Sequence, residues 1–338
     1  FNNSTGVLTL SGTTTKALYE QTLESVTYQN TSDNPSTSAR TITWQVNDGS
    51  SLSSAVTSTV TVAAVNDVPT IANLGSDSFT FTEGAAATVI DQSTAAVLAD
   101  VDSSNFAGGN LTVTITSGED SAEDVLSLST SGTVALASTS ANANVSVGGT
   151  VVGTLANAIA AGNDLVVNLN SAATAANVQT LVRAITYQNT DTDNPTTGNR
   201  TVRVTVNDGD GGTSANADVT VTVAAVNDAP VVSGAGATLA YTENASATVI
   251  DASLTLSDVD SNNLTGATVT ISGNFRSGGE DVLAFTAASG SNITGSFNNS
   301  TGVLTLSGTT TKALYEQTLE SVTYQNTSDN PSTSARTI

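Results

Sequence analysis

Hydrophobic and polar residues alternate along several short segments of the chain, and Gly, Asn, Asp or Pro interrupts each of them. In the first part of the chain these segments are Val7–Leu10, Ser25–Tyr28, Arg40–Val46 and Ala55–Val62. The same scheme returns further on in Ala184–Tyr187, Arg200–Val206 and Ala217–Val223. A period of two residues predicts half-buried antiparallel β-strands, and regular turns between short strands favour β-sandwiches over one large barrel.

Two segments depart from this alternation because Leu or Val recurs in them at helical spacing. They are Lys16–Leu23 and Ala172–Leu181. Each predicts a short helical turn between strands.

The chain contains a long identical repeat. Residues 1–42 recur without change as residues 297–338, at an offset of 296 positions. Within that period the dipeptide Asn66-Asp67 returns as Asn227-Asp228, 161 residues later. Repetition at a fixed period is typical of tandem units.

This repetition predicts three domains. Residues 1–62 are expected to be the C-terminal half of a repeat, residues 63–223 a complete longer repeat, and residues 224–338 a repeat that lacks its last strands. The 26 extra residues of the longer repeat are expected within residues 117–170. We therefore expect the chain to be a segment of a longer tandem array, or neighbouring copies to complete the broken units.

Composition narrows the classes of function. The chain carries 30 acidic and 8 basic residues, a formal charge of −22, whereas nucleic acids and anionic membranes require a basic surface. It has no Cys, His or Met, so zinc, copper and haem lose their usual ligands and Ser-His or Cys-His catalysis is unavailable. No apolar run approaches the roughly 20 residues of a membrane span. We expect no enzyme, no nucleic-acid partner and no membrane insertion.

Acidic motifs recur at matched positions around two junctions, which we call the first seam (Val65–Pro69) and the second seam (Val226–Pro230). Each seam Asp is followed by a Glu and then by an Asp-Val-Asp motif. The residues are Asn66, Asp67, Glu83, Asp100 and Asp102 in one unit, and Asn227, Asp228, Glu243, Asp258 and Asp260 in the next.

Calcium takes about 6–8 oxygen ligands, more than one motif supplies. A seam, the Asp-Val-Asp of the unit after it and the Glu of the unit before it together could supply them. Both carboxylates of Asp-Val-Asp point to one side if the motif is extended.

The remaining acidic residues and the tyrosines have plainer interpretations. Asp48 and Asp208 in Val-Asn-Asp-Gly are left open between cation ligand and turn former. The pairs expected to be solvated surface are Glu119-Asp120, Glu123-Asp124 and Glu280-Asp281. The tyrosines expected to be packed, with a hydrogen bond to a nearby loop, are Tyr28, Tyr187 and Tyr324.

Residues 227–263, NDAPVVSGAGATLAYTENASATVIDASLTLSDVDSNN, resemble the start of a cadherin repeat, with an Asn-Asp-x-Pro linker, a Glu-Asn and an Asp-x-Asp. FNNSTGVLTLSG (1–12) and VNDG (46–49) resemble the later strands of that family. YQNTSDNP and AVNDAP are similar to the cadherin-like repeats of large bacterial surface adhesins. The resemblance covers nearly the whole chain. It implies an all-β, linear array of tandem antiparallel β-sandwiches that is secreted to the cell surface and binds Ca²⁺ at its linkers.

Carried over residue by residue, the resemblance implies two sets of metal ligands. At the second seam they are Glu83, Asn227, Asp228, Asp258 and Asp260, with Asn263 as a further candidate. At the first seam they are Asn66, Asp67, Asp100 and Asp102, with Asn105 as a further candidate. The Glu of the first seam would belong to the missing front of the unit that ends at Val62. The Leu-Asp-Arg-Glu motif of the family is absent, and Lys16–Glu24 occupies its region, so the number of Ca²⁺ ions per seam is left open.

The leading expectation for function is a structural extender or stalk of a secreted bacterial adhesin or cell-surface fibre, stiffened by Ca²⁺. Its partners would be neighbouring repeats or copies of itself, and unseen domains would contact a cell-surface or glycan target. One alternative is a self-assembling fibre or sheath subunit joined by strand complementation. Another is a glycan- or protein-binding adhesion module. It requires a surface aromatic platform or a basic pocket, and the chain has a single Trp, Trp44.

Overall fold

The computed structural model describes all residues, 1–338, and its regular elements are 23 β-strands and three short helices. All strand pairs are antiparallel except one parallel pair, so the predicted all-β antiparallel class is confirmed. Each helix begins after a Thr whose hydroxyl accepts an N–H of the first turn, which caps the helix: Thr15, Thr174 and Thr311.

Residues 1–62 form little regular structure. Their elements are α1 (Lys16–Glu24), β1 (Arg40–Trp44) and β2 (Val56–Val60). Strands β1 and β2 pair as a hairpin, but no residue from 1 to 62 is buried. The prediction of strands at Val7–Leu10 and Ser25–Tyr28 is wrong in this copy of the repeated sequence.

Residues 63–223 and their immediate neighbours form a complete β-sandwich, which we call the complete unit. Its elements are β3 (Thr70–Ala72), β4 (Ser78–Thr82), β5 (Thr88–Val89), β6 (Val97–Ala99), β7 (Asn110–Ser117), β8 (Asp124–Leu128), β9 (Val134–Leu136), β10 (Asn144–Val147), β11 (Thr150–Leu155), β12 (Leu165–Leu169), α2 (Ala175–Arg183), β13 (Ile185–Asn189), β14 (Gly198–Asn207) and β15 (Ala217–Ala224).

Two sheets of the complete unit face one core. The larger sheet has the order β4-β15-β14-β7-β12-β11-β10-β9, and the smaller has the order β5-β13-β8. Their inward side chains form one cluster of 32 buried hydrophobic residues. Alternate residues of β14 and β15 are buried, as the period of two predicts. The parallel pair is β4 with β15.

Residues 224–338 form a smaller unit, which we call the C-terminal unit. Its elements are β16 (Val231–Ser233), β17 (Thr248–Val249), β18 (Thr255–Ser257), β19 (Asn263–Thr270), β20 (Asp281–Ala284), β21 (Thr294–Asn298), β22 (Val303–Thr311), α3 (Lys312–Glu320) and β23 (Thr323–Asn326). Its sheets have the orders β19-β22-β21 and β17-β23-β20, and its core holds nine buried hydrophobic residues. Strands β21 and β22 correspond to β11 and β12, so β9 and β10 are the extra strands of the complete unit and lie within residues 117–170, as predicted.

The C-terminal unit has an open sheet edge. In the complete unit β7 pairs with β12 on one side and β14 on the other, whereas its counterpart β19 pairs with β22 only. The counterpart of β4, residues 238–242, forms no strand in the C-terminal unit. Strand β4 exists through its pairing with β15, and no such neighbour is present beside residues 238–242.

Candidate metal centre at the two seams

The parallel pairing of β4 and β15 places Glu83 at the second seam. Thr82 and Ala224 are partners in this register, so Glu83 follows directly beside the chain as it leaves β15. The amide of Glu83 donates to the carbonyl oxygen of Ala224 at 2.9 Å. The amide of Val226 donates to Glu83 Oε2 at 2.6 Å. The structure therefore places the Glu of the preceding unit beside the backbone of the second seam.

The backbone of the second seam is held by the Asp-Val-Asp motif of the following unit. The amide of Asp228 donates to Asp260 Oδ2 at 3.0 Å, and this bond lowers the pKa of Asp260. Asn227 Nδ2 donates to the carbonyl oxygen of Asp228 at 2.7 Å. The amide of Ser261 donates to Asp258 Oδ1 at 2.7 Å. The structure thus brings Asn227, Asp228, Asp258 and Asp260 to one junction.

The first seam repeats this geometry. The amide of Asp67 donates to Asp102 Oδ2 at 3.1 Å, and Asn66 Nδ2 donates to the carbonyl oxygen of Asp67 at 3.0 Å. The amide of Ser103 donates to Asp100 Oδ1 at 2.9 Å. Matching contacts at both junctions show that the seam motif and the Asp-Val-Asp motif form one structural element.

The Asp-Val-Asp motifs are bends rather than extended segments. Asp100 Oδ1 accepts the amides of both Asp102 and Ser103, which is an Asx-turn. Strand alternation therefore does not align the two carboxylates of either motif. The turn uses one oxygen of Asp100 and leaves the other free for a different ligand.

Unpartnered carboxylate oxygens are concentrated at the two seams. Seven buried side-chain oxygen or nitrogen atoms in the chain lack a hydrogen-bond partner, and five of them belong to predicted metal ligands. They are Glu83 Oε1, Asp228 Oδ2, Asp260 Oδ1, Asp100 Oδ2 and Asp102 Oδ1. A buried polar atom without a partner costs about 1–3 kcal/mol, and more when it is charged. Because these oxygens are of the kind that Ca²⁺ prefers, the residues present fit that ion.

The predicted ligands do not form a closed shell. Nowhere in the chain do three or more acidic side chains converge into a group that could hold a metal ion as it stands. Asn105 Oδ1 accepts the amide of Ala107 at 3.1 Å and acts as a local turn former. The structure therefore supplies seam oxygens for a cation but not their convergence.

Asp208 contacts the first seam and lies outside the predicted ligand set. It is fully buried, and its Oδ2 accepts Asn66 Nδ2 at 2.8 Å. Burial raises the pKa of Asp208, but hydrogen bonds from Asn66 and from the backbone of Gly212 and Asp210 outweigh it and hold that pKa below its usual value. A Cβ at Gly212 would lie 2.2 Å from Asp208 Oδ2, so this approach requires glycine. The Val-Asn-Asp-Gly motif is the sequence pattern by which Asp208 could have been found.

The expectation of a solvated surface is wrong for Asp124. Its side chain is enclosed, with Oδ2 accepting Arg200 Nε at 3.0 Å and Oδ1 accepting Tyr187 Oη at 2.5 Å. Asn189 Nδ2 also donates to Asp124 Oδ1, at 3.2 Å. Tyr187 is packed in the core as predicted, and its acceptor is the first residue of β8.

The same network recurs in the C-terminal unit, where the expectation for Asp281 is also wrong. Asp281 is fully buried and accepts Arg336 Nε at 3.0 Å, Tyr324 Oη at 2.6 Å and Asn326 Nδ2 at 2.8 Å. Burial and the bond to Asp281 raise the pKa of Tyr324 to about 12, so its phenol stays a donor. Each network ties a strand from the front of its unit to residues from the rear.

The network of Asp281 predicts acid sensitivity of the C-terminal unit. Burial raises the pKa of Asp281, but bonds from Arg336, Tyr324 and the Arg276 amide leave it below the ordinary 3.8. Its contribution to stability is present above the unfolded-state pKa and is lost as pH falls through the lower folded-state pKa. Urea unfolding between about pH 5 and pH 2 should show this loss, and Asp281→Asn should flatten it. Asp329→Asn, at an exposed position, should leave the pH profile unchanged; a profile unaltered by Asp281→Asn would contradict the assignment.

Fold and seams together define the chain as tandem β-units with acidic junctions. No helix in it is both long and apolar enough to span a bilayer. No model of a known protein family matches the sequence. The chain is similar to halomucin of Haloquadratum walsbyi (strain DSM 16790 / HBSQ001), with 41% identity over 92 residues. These residues are 26% of this chain and 1% of halomucin.

Among solved structures, the chain is similar to protocadherin gamma B7 extracellular cadherin domains 1–4, with 15% identity and a TM-score of 0.29. The match covers 81% of this chain and 49% of that one. PcdhgB3 EC1-4 matches with 12% identity and a TM-score of 0.26, over 85% of this chain and 56% of that one. The chain thus spans about half the length of these structures. TM-scores this low do not establish a shared fold, so the fold is defined by the strand pairing of the chain itself.

Proposed function

We propose that the chain is a spacer of an extracellular surface protein, in which Ca²⁺ at each seam fixes one β-unit relative to the next. The five unpartnered, buried carboxylate oxygens at the seams carry this proposal. The role is structural rather than catalytic. Any adhesion to a cell-surface or glycan target would belong to other domains of the same protein.

The second seam draws its acidic side chains from both of the units that it joins. Glu83 follows β4 of the complete unit, whereas Asp258 and Asp260 follow β18 of the C-terminal unit. Like charges at a junction repel each other, and this chain carries a formal charge of −22. A bound divalent cation becomes the largest local charge and reverses that repulsion. Because the carboxylates do not converge without it, binding draws the two units together.

Two observations from sequence support an extracellular spacer. The Asn-Asp-x-Pro, Glu-Asn and Asp-x-Asp motifs are those by which the chain resembles repeats of surface adhesins. The matched part of halomucin is only 1% of that protein, so units of this kind occur in a chain of far greater length. Extracellular calcium modules bind at about 10⁻⁴–10⁻³ M, a range suited to weak, repeated seam sites.

Calcium is expected to stabilise and stiffen the chain. Thermal melting and small-angle X-ray scattering of the full chain, in Ca²⁺ and in EGTA at matched ionic strength, measure the two effects. Saturation to about 100 times the dissociation constant should add about 2.7 kcal/mol per independent site. We expect a higher melting temperature and a narrower distribution of interunit distances in Ca²⁺ than in Mg²⁺ or EGTA.

Variants locate the effect at the second seam. The double change Asp228→Asn and Asp260→Asn keeps the side-chain shapes but removes two charges, so it should abolish the part of the calcium response that this seam contributes. Asp329→Asn removes an exposed charge away from both seams and should retain the full response. Superimposable curves with and without Ca²⁺, or an equal loss in the control, would refute the proposal.

A further inference from the structure

We propose that the first residue of the helix in each β-unit sets the Ca²⁺ affinity of the seam that precedes the unit, and that Lys312 lowers this affinity at the second seam. The corresponding residue for the first seam is Ala175. This inference rests on the proposed function, because it concerns the same seam sites, and it names the residue that tunes one of them.

Helix α3 begins beside the Asp-Val-Asp motif of the second seam. The amide of Lys312, the first residue of the helix, donates to the carbonyl oxygen of Asn262 at 3.0 Å. Asn262 follows Asp260, a predicted metal ligand, by two positions. The hydroxyl of Thr311 caps the helix by accepting the amide of Leu314, so the first turn is held in place. The backbone of Lys312 is therefore fixed next to the motif.

The side chain of Lys312 reaches the motif itself. Its Nζ donates to the carbonyl oxygen of Asp258 at 2.5 Å, and the residue is partly buried. The ammonium forms no ion pair, since the ion pairs of the chain involve only Arg200, Arg203 and Arg336 as cations. A positive charge that no paired carboxylate neutralises therefore lies at the second seam, against the backbone of a predicted metal ligand.

Basic side chains are scarce in this chain, and the others lie elsewhere. The chain has eight Lys and Arg residues against 30 acidic ones. The arginine side chains donate to residues outside the predicted ligand set. Lys16, the identical residue of the repeated sequence, is exposed. Lys312 is therefore the one basic residue whose charged group contacts a predicted metal ligand, and this contact is not a general feature of the surface.

The first seam has no such charge at this position. Helix α2 begins at Ala175 after the cap Thr174, just as α3 begins at Lys312 after the cap Thr311. The methyl group of Ala175 packs against the core of the complete unit and provides neither a charge nor a hydrogen-bond donor. Both seams have the same backbone contacts to their Asp-Val-Asp motifs, so the residue at this position distinguishes them electrostatically.

A fixed ammonium opposes the binding of a second cation at the same junction. The energy of two charges scales with their product, so Ca²⁺ experiences twice the repulsion of a monovalent ion. The ammonium also occupies the carbonyl oxygen of Asp258, and backbone carbonyl oxygens are among the ligands that Ca²⁺ takes. Both effects weaken Ca²⁺ binding, so a neutral residue in place of Lys312 should raise the affinity of the second seam.

Hydrogen exchange of the full chain, measured by mass spectrometry across a series of buffered free Ca²⁺ concentrations, follows each seam separately. Peptides that cover residues 258–261 report the second seam, and peptides that cover residues 100–103 report the first. We expect Lys312→Gln to shift the midpoint of protection at the second seam to about 3- to 10-fold lower free Ca²⁺ and to leave the first seam unchanged. Lys312→Arg keeps the charge and should retain the original midpoint. The reciprocal Ala175→Lys should raise the midpoint at the first seam only.

Salt dependence distinguishes the charge of Lys312 from its shape. The Debye length falls from about 10 Å at 0.1 M salt to about 3 Å at 1 M. The difference between Lys312→Gln and the unchanged chain should therefore shrink in 1 M NaCl. Lys16→Gln removes the same charge from the identical helix sequence at an exposed position, so it should leave the midpoint at the second seam unchanged.

The outcomes distinguish this inference from the proposed function. Calcium-dependent protection with the same midpoint in Lys312→Gln and the unchanged chain would overturn the inference and leave the spacer function standing. A shift that is independent of salt, or an equal shift in Lys16→Gln, would also overturn it. The absence of any calcium-dependent protection at either seam would refute both.

Discussion

The Asp124→Asn substitution is expected to destabilise the complete unit by about 3–5 kcal/mol, because it leaves a buried guanidinium without its carboxylate. Arg200 and Asp124 have side chains that are 1% and 0% exposed, and the Arg200 Nε to Asp124 Oδ2 distance is 3.0 Å. Asparagine keeps the size of the side chain and an acceptor for Tyr187 Oη. The loss therefore reports the charge pair rather than a cavity.

The matched control is the ion pair on the surface of the same unit. Arg203 and Asp218 pair at 2.8 Å with side chains that are 35% and 40% exposed, so Asp218→Asn should cost about 0–1 kcal/mol. Hydrogen exchange of the amides in β13 and β14, measured by mass spectrometry across a urea series, follows the complete unit within the full chain. Equal losses of protection in the two variants would show that the Asp124 network contributes no more than a surface pair.

The Asp124 network also shows why sequence alone misjudges some acidic residues. Glu123-Asp124 reads as polar surface because its cation, Arg200, lies 76 positions further along the chain. The recurrence of Tyr, Asn, Arg and a Glu-Asp pair in both units was visible, but no local pattern shows that they meet. The same holds for Asp208, whose partner Asn66 is 142 positions away. Long-range pairing determines these residues, whereas alternation within ten residues is enough to predict β14 and β15.

The seams were more predictable than the networks because their residues lie close together in sequence or follow from strand register. The Asp67 to Asp102 contact and its counterpart at Asp228 join motifs that repeat at matched spacing. The conformation of Asp-Val-Asp was not predictable from that spacing, since an Asx-turn competes with an extended strand for the same residues. Spacing thus identified which motifs lie at the same seam, and local hydrogen bonding decided the orientation of their carboxylates.

Strand formation in this chain depends on a partner, and the repeated sequence allows that dependence to be measured. Leu304→Ala should destabilise the C-terminal unit by about 2–5 kcal/mol, as expected for a core leucine. Leu8→Ala changes the same residue in the same sequence but at a site 44% exposed, and should stay within about 0.5 kcal/mol in dilute solution.

Hydrogen exchange across a urea series gives the readout, measured in β22 and β23 for Leu304→Ala and in the matching residues 7–15 and 27–30 for Leu8→Ala. Equal effects of the two substitutions in dilute solution would show that residues 1–42 already have a core of their own. The repeated sequence would then fold without packing against residues 224–296. Burial would in that case no longer explain why Val303–Thr311 forms β22 whereas Val7–Leu10 forms no strand.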